Sequence, residues 1–64
     1  MMLEILTIYD YYPTDSLILE ASSPRDVWEE ATSRARYERK RDNGVSFIYR
    51  LNAKYERVEC IAHI

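Results

Sequence analysis

The side chains able to bind a metal or carry out a reaction are few. Cys60 and His63 are the only cysteine and the only histidine of the chain. They stand three residues apart, a spacing that on a strand sends them to opposite faces, and no second Cys or His completes a set of metal ligands. The expected roles are a packed cysteine and a surface histidine. His63 is the one side chain whose unperturbed pKa lies near neutrality, and no nucleophile, base and orienting group can be assembled around it. Carboxylates that folding would bring together, such as Asp10 with Asp15, are the remaining candidates for acid–base work. Gly44 is the only glycine, so there is no glycine-rich loop to cradle a phosphate. The sequence points away from an enzyme and names no metal or cofactor.

Binding chemistry is better represented. Arg34, Arg36, Arg39, Lys40 and Arg41, with Tyr37 among them, gather cations that suit phosphates or a partner's carboxylates; the same bases also complement the C-terminal dipole of a helix without any ligand. From this cluster Arg36, Tyr37, Lys40 and Arg41 are the candidates for contacting a partner or nucleic acid. The chain has six tyrosines, a residue favoured both in strands and at interfaces. Tyr11 and Tyr12 flank a turn signal and with Asp10 and Asp15 make an acidic aromatic knob, so Tyr11, Tyr12 and Asp15 form a second candidate docking element.

These residues need elements to position them. Ser23-Pro24-Arg25-Asp26 starts a helix: Ser23 can cap, Pro24 suits the first helical position and Asp26 can complete a capping box. Val27, Trp28, Ala31 and Ala35 then fall on one stripe, with Trp28 expected to fill one end of the core. Acids in the first turns and bases in the last match the dipole, and Asn43-Gly44 supplies a left-handed stop. Leu3 to Tyr11 and Ser16 to Ser22 read as a hairpin around Tyr12-Pro13-Thr14-Asp15. Val45 to Leu51 and Tyr55 to Ala62 read as another, around Asn52-Ala53-Lys54. The expected architecture is α+β, ββαββ: a four-stranded, mainly antiparallel sheet with one amphipathic helix, about residues 24–42, on one face, and residues 1–64 in a single domain.

Strand alternation predicts which residues that helix covers. Leu17, Leu19, Ala21, Val45, Phe47, Tyr49, Leu51, Val58, Cys60 and Ala62 are assigned to its side. Ile18, Ile48 and Ile61 then fall on the open side among Glu20, Ser46, Arg50, Arg57 and Glu59, where an aligned apolar patch marks a third candidate surface, for a second copy or a target protein.

Composition bounds the rest. At 64 residues, 47% apolar and 31% charged, the chain has room for one core. A single cysteine excludes an intramolecular disulfide and fits a reducing, cytoplasmic setting. Residues 1–30 carry a net −6 and residues 31–64 a net +4, while the overall pI of about 5.3 argues against indiscriminate nucleic-acid binding. Met1 to Ile8 lacks the basic start of a signal peptide and reads as a strand, and no stretch has the ~20 apolar residues that span a bilayer.

The junction Leu19-Glu20-Ala21-Ser22-Ser23-Pro24-Arg25-Asp26-Val27-Trp28-Glu29-Glu30-Ala31 resembles the strand-into-capped-helix step of small accessory proteins of bacteriophages and mobile elements, among them some anti-CRISPR proteins and phage inhibitors of host RNA polymerase. That resemblance covers about a fifth of the chain and implies a non-catalytic binder acting in the host cytoplasm on a larger machine, such as a nucleic-acid-processing complex. The expected function is a small protein-binding inhibitor or adaptor. The alternative is a nucleic-acid-binding regulatory module using the basic helix end.

Overall fold

The computed structural model describes all 64 residues. The chain runs β1 (Met2–Ile8), β2 (Asp15–Glu20), α1 (Pro24–Asp42), β3 (Val45–Leu51) and β4 (Arg57–His63). The four strands form one antiparallel sheet in the order β2-β1-β3-β4, which is the expected ββαββ arrangement. Both β2 and β3 lie beside β1, so α1 is the crossover that carries the chain over one face from one flank of β1 to the other.

The helix begins where the sequence signals it. Ser23 is extended (φ −100°, ψ 122°), its Oγ accepts the Asp26 N–H at 3.4 Å, and Pro24 opens the first turn. Only this half of the capping box forms. Removing it in Ser23→Ala is expected to cost ~1 kcal/mol, read as a lower midpoint in urea unfolding. At the other end Asn43 takes the left-handed conformation (φ 55°) and the Gly44 N–H donates to the Glu38 carbonyl at 3.1 Å. Gly44 is needed for space: a Cβ there would lie 2.7 Å from Tyr9 Cε1 and 2.8 Å from Thr7 Cγ2.

The core is one cluster of Leu3, Ile5, Val27, Ala31, Ala35 and Ile48, in which each large side chain contributes about 1.5–3 kcal/mol by leaving water. The alanines let α1 approach the sheet closely over β1 and β3. That close approach sets the phase of β3. Ile48 fits beneath the helix opposite Ile5, and Ser46 pairs with Thr7 through their hydroxyls at 2.9 Å, whereas Phe47 and Tyr49 are too large and turn away. The expected phase of β3 is thus inverted: Ile48 is fully buried in the core and does not belong to the open face. Ile61 is a second correction. β4 is bulged against β3, and the shift between Ile48 and Tyr49 inserts Ile61 as an extra residue, so that it packs on the core together with Ala62 and Ile64. The same bulge places both Cys60, opposite Tyr49, and His63, opposite Phe47, on the open face, rather than on opposite faces. Trp28 is 39% exposed and lies at the edge of the stripe, while the unforeseen Thr32 is buried and donates to the Trp28 carbonyl at 3.0 Å.

Ile18 is on the open face as expected, 45% exposed. Register places Met2, Leu6, Ile8, Val45, Phe47 and Tyr49 beside it, so the uncovered side of the sheet is largely apolar with a different membership. At its centre Glu4 accepts from Ser16 Oγ at 2.6 Å and from Arg57 Nε at 2.6 Å, and the Arg57 guanidinium lies 4.4 Å over the Tyr49 ring. Of the six ion pairs this is the one that joins distant parts of the chain.

Candidate protein-docking site

One end of the molecule gathers tyrosines and acids around a groove. The loop 9–14 leaves β1 at Tyr9, whose phenol donates to Glu38 Oε2 at 2.8 Å, tying the loop to α1 across 29 residues of sequence. Tyr12 stands edge-on to Tyr9 with ring centres 5.8 Å apart. Arg41 donates to the same Glu38 oxygen at 3.2 Å and to Asp42 Oδ2 at 2.7 Å, and its guanidinium lies 5.2 Å from the centre of the Tyr37 ring. Burial of the Tyr9 phenol, reinforced by its bond to the Glu38 carboxylate, pushes its pKa up to about 12. Tyr9 therefore remains a neutral donor at physiological pH, and this end of the molecule is braced.

Two hollows adjoin there. The deeper, about 320 Å³, has Ile5, Thr7 and Leu17 as its floor and Asp15, Ser33, Arg34, Tyr37 and Glu38 as its rim. The shallower is bounded by Tyr9, Tyr12, Asp15, Glu38, Arg41 and Asp42. They share Asp15 and Glu38 and so form one groove between α1 and the β1–β2 hairpin. Its acids are not equivalent. Glu38 is occupied by Tyr9 and Arg41, and Asp42 by Arg41, whereas Asp15 takes part in no ion pair. A groove with an apolar floor, tyrosine walls and a free carboxylate suits the aliphatic stem and charged head of a lysine or arginine side chain.

The structure thus brings together residues that the sequence placed in separate candidates. Tyr12 and Asp15 from the hairpin meet Tyr37 and Arg41 from the helix. Tyr11 projects beside the groove, 93% exposed, a large aromatic with no packing of its own. Arg36 and Lys40 are exposed, lie outside the groove and join no ion pair. Arg34 is held by Glu30 at 3.1 Å. Sequence reasoning missed Glu38 and read Gly44 only as a helix stop, whereas both position Tyr9. The signal for Gly44 was its being the sole glycine, directly after a helix.

No group of three or more His, Cys, Asp or Glu side chains is arranged to hold a metal ion, and no helix is long and apolar enough to cross a membrane. Fold and site define a small two-layer α+β domain, one helix on an open four-stranded sheet, with an acidic, tyrosine-walled groove at one end. No protein-family model matches the chain, and no match to it is found among the curated proteins or the solved structures.

Proposed function

We propose that this protein is a small non-catalytic protein-binding inhibitor or adaptor, of the kind that phages and mobile elements encode against host machinery in the cytoplasm. The groove carries the reading. Tyrosine and arginine are the side chains most often found at interface hot spots, and here Tyr11, Tyr12, Tyr37 and Arg41 stand at one end, around a floor that is apolar. The free carboxylate of Asp15 makes the matching partner a basic segment. The phosphate-binding surfaces of a host nucleic-acid-processing complex offer such segments.

A second reading, a nucleic-acid-binding module, is supported by Arg36, Arg39 and Lys40, which are exposed and free of ion pairs. It is weakened by Arg34 and Arg41, whose charges are already met by Glu30, Glu38 and Asp42. The two readings separate in one set of binding assays. Titrated with a short arginine-rich peptide, the amide resonances of Thr7, Leu17, Ser33 and Tyr37 are expected to shift, and Asp15→Asn to weaken binding about tenfold, the scale of one charge-assisted contact. Arg36→Glu with Lys40→Glu should leave that affinity unreduced. Tight binding of an oligonucleotide that this double change removes, with no peptide response, would establish the second reading instead.

A further inference from the structure

We propose that the open face of the sheet is covered by the same face of a second copy of this chain, related by a two-fold axis running along the strands between β1 and β3. The inference is independent of the groove, which lies on the helix side of the sheet.

The face is built to be dry. Phe47, Tyr49, Leu6 and Ile18 project from it, and its one central ion pair is already satisfied: Glu4 accepts from Ser16 and twice from Arg57, at 2.6, 2.6 and 3.3 Å. Covering it leaves no carboxylate without a donor. The fold also needs the cover, because a sheet with a helix on one side only leaves 12 of 64 residues buried, and the domain is 14 Å thick along its shortest axis. Its other two dimensions, 32 and 20 Å, give the face a footprint on the order of 600 Å². With the relief of its side chains this approaches the ~800 Å² that each partner contributes to a standard interface.

Charge selects a second copy and fixes its orientation. Cross-strand register orders the face in rows. Glu20, Met2, Leu51 and Arg57 make one row from β2 to β4; Ile18, Glu4, Tyr49 and Cys60 make the next. A two-fold axis along the strands lays β2 of one copy over β4 of the other while keeping each row opposite itself. Glu20 then faces Arg57 of the second copy, and symmetry repeats the contact. Arg57 has donors to spare, since a guanidinium carries five N–H groups and Glu4 engages only Nε and Nη2. An axis across the strands would instead set the row of Arg57 against the row of His63 and give no such pair.

The same register supplies the test. In the second row Ile18 lies opposite Cys60 of the second copy. Within one chain these positions are three strand spacings apart, ~14 Å, and share one face, whereas packed sheets stand ~10 Å apart with side chains pointing at each other, so that a short bifunctional thiol reagent joins the two copies and not the two edges of one sheet. The wild-type chain is expected to sediment as a dimer at micromolar concentration. Ile18→Cys, treated with the short bifunctional thiol reagent dibromobimane, should give a covalent dimer on a reducing gel that Cys60→Ser in the same chain abolishes; wild type should give none. Glu20→Arg should weaken dimerisation at least tenfold in sedimentation equilibrium while leaving the far-UV spectrum unchanged. A wild-type monomer at up to about 0.5 mM, some hundred times the expected dissociation constant, overturns the proposal. So does a dimer that neither cross-links through Ile18→Cys nor responds to Glu20→Arg.

Discussion

Ile48→Glu is expected to unfold the protein. Ile48 is fully buried beneath α1, among Leu3, Ile5, Val27, Ala31 and Ala35, and none of these offers a hydrogen-bond donor from its side chain. Burying a carboxylate there without a partner costs several kcal/mol, and the loss of apolar burial adds to it. A single core in a chain this short rarely supplies more than about 3–5 kcal/mol of net stability, so the substitution exceeds what the fold has. Circular dichroism should show loss of the cooperative melt and of most helix signal, while the control Ile48→Val melts cooperatively about 1 kcal/mol below wild type. A folded Ile48→Glu protein with a wild-type melt would place Ile48 on the open face after all.

The second large effect is expected from Arg57→Met, and it depends on pH. The hydrogen bond from Arg57 is the main cause that holds the Glu4 carboxyl below its ordinary pKa, working against burial and with help from Ser16. A group depressed in this way stabilises the folded state above its unfolded pKa, ~4.3 for glutamate, and that contribution is lost as pH falls through the lower, folded value. Without Arg57, Glu4 retains the burial that disfavours its charge and keeps only Ser16. At pH 7 the urea midpoint should therefore drop by on the order of 1 M, because the largely buried Glu4 loses the half-exposed guanidinium that offsets its desolvation. As pH is lowered through 4 the wild-type midpoint should fall towards that of the variant until the two meet. Curves separated by the same amount at pH 7 and pH 3 would show that Arg57 acts through its packing on Tyr49 and not through the charge of Glu4.

Local signals in this sequence were reliable wherever a single residue type does one thing. Ser23-Pro24 marked the start of α1 and Asn43 its end, and the element order followed. Alternation identified the covered face in β2 but not in β3 or β4. In β2 the alternation of Leu17 and Leu19 with Ser16, Ile18 and Glu20 identified the covered side. In β3 hydrophobicity pointed to the wrong side: Val45, Phe47, Tyr49 and Leu51 outnumber Ile48, yet it is Ile48 that α1 covers. The choice was made by volume under a helix that lies close because of Ala31 and Ala35, which is a property of two elements together. In β4 a bulge shifted the alternation midway, and no residue type near Cys60-Ile61 announces it. The groove was half legible. Its tyrosines and Asp15 stood out, but their meeting with Tyr37 and Arg41 depends on the helix lying alongside the hairpin, and on Tyr9 reaching Glu38.

The strand order has a consequence for how the chain is made. Each outer strand is joined to its neighbour by a short loop, yet the two inner strands are separated in sequence by β2 and α1, as Thr7 and Ser46, 39 residues apart, illustrate. During synthesis the first hairpin and α1 emerge with Leu3 and Ile5 covered on one flank only, because β3 is still to be added. Contacts so distant in sequence close late and slowly compared with hairpins and helices. The nascent chain therefore exposes the free edge of β1 until β3 has emerged. Until then the unpaired β1 edge is where a chaperone or an unwanted strand would meet the chain first.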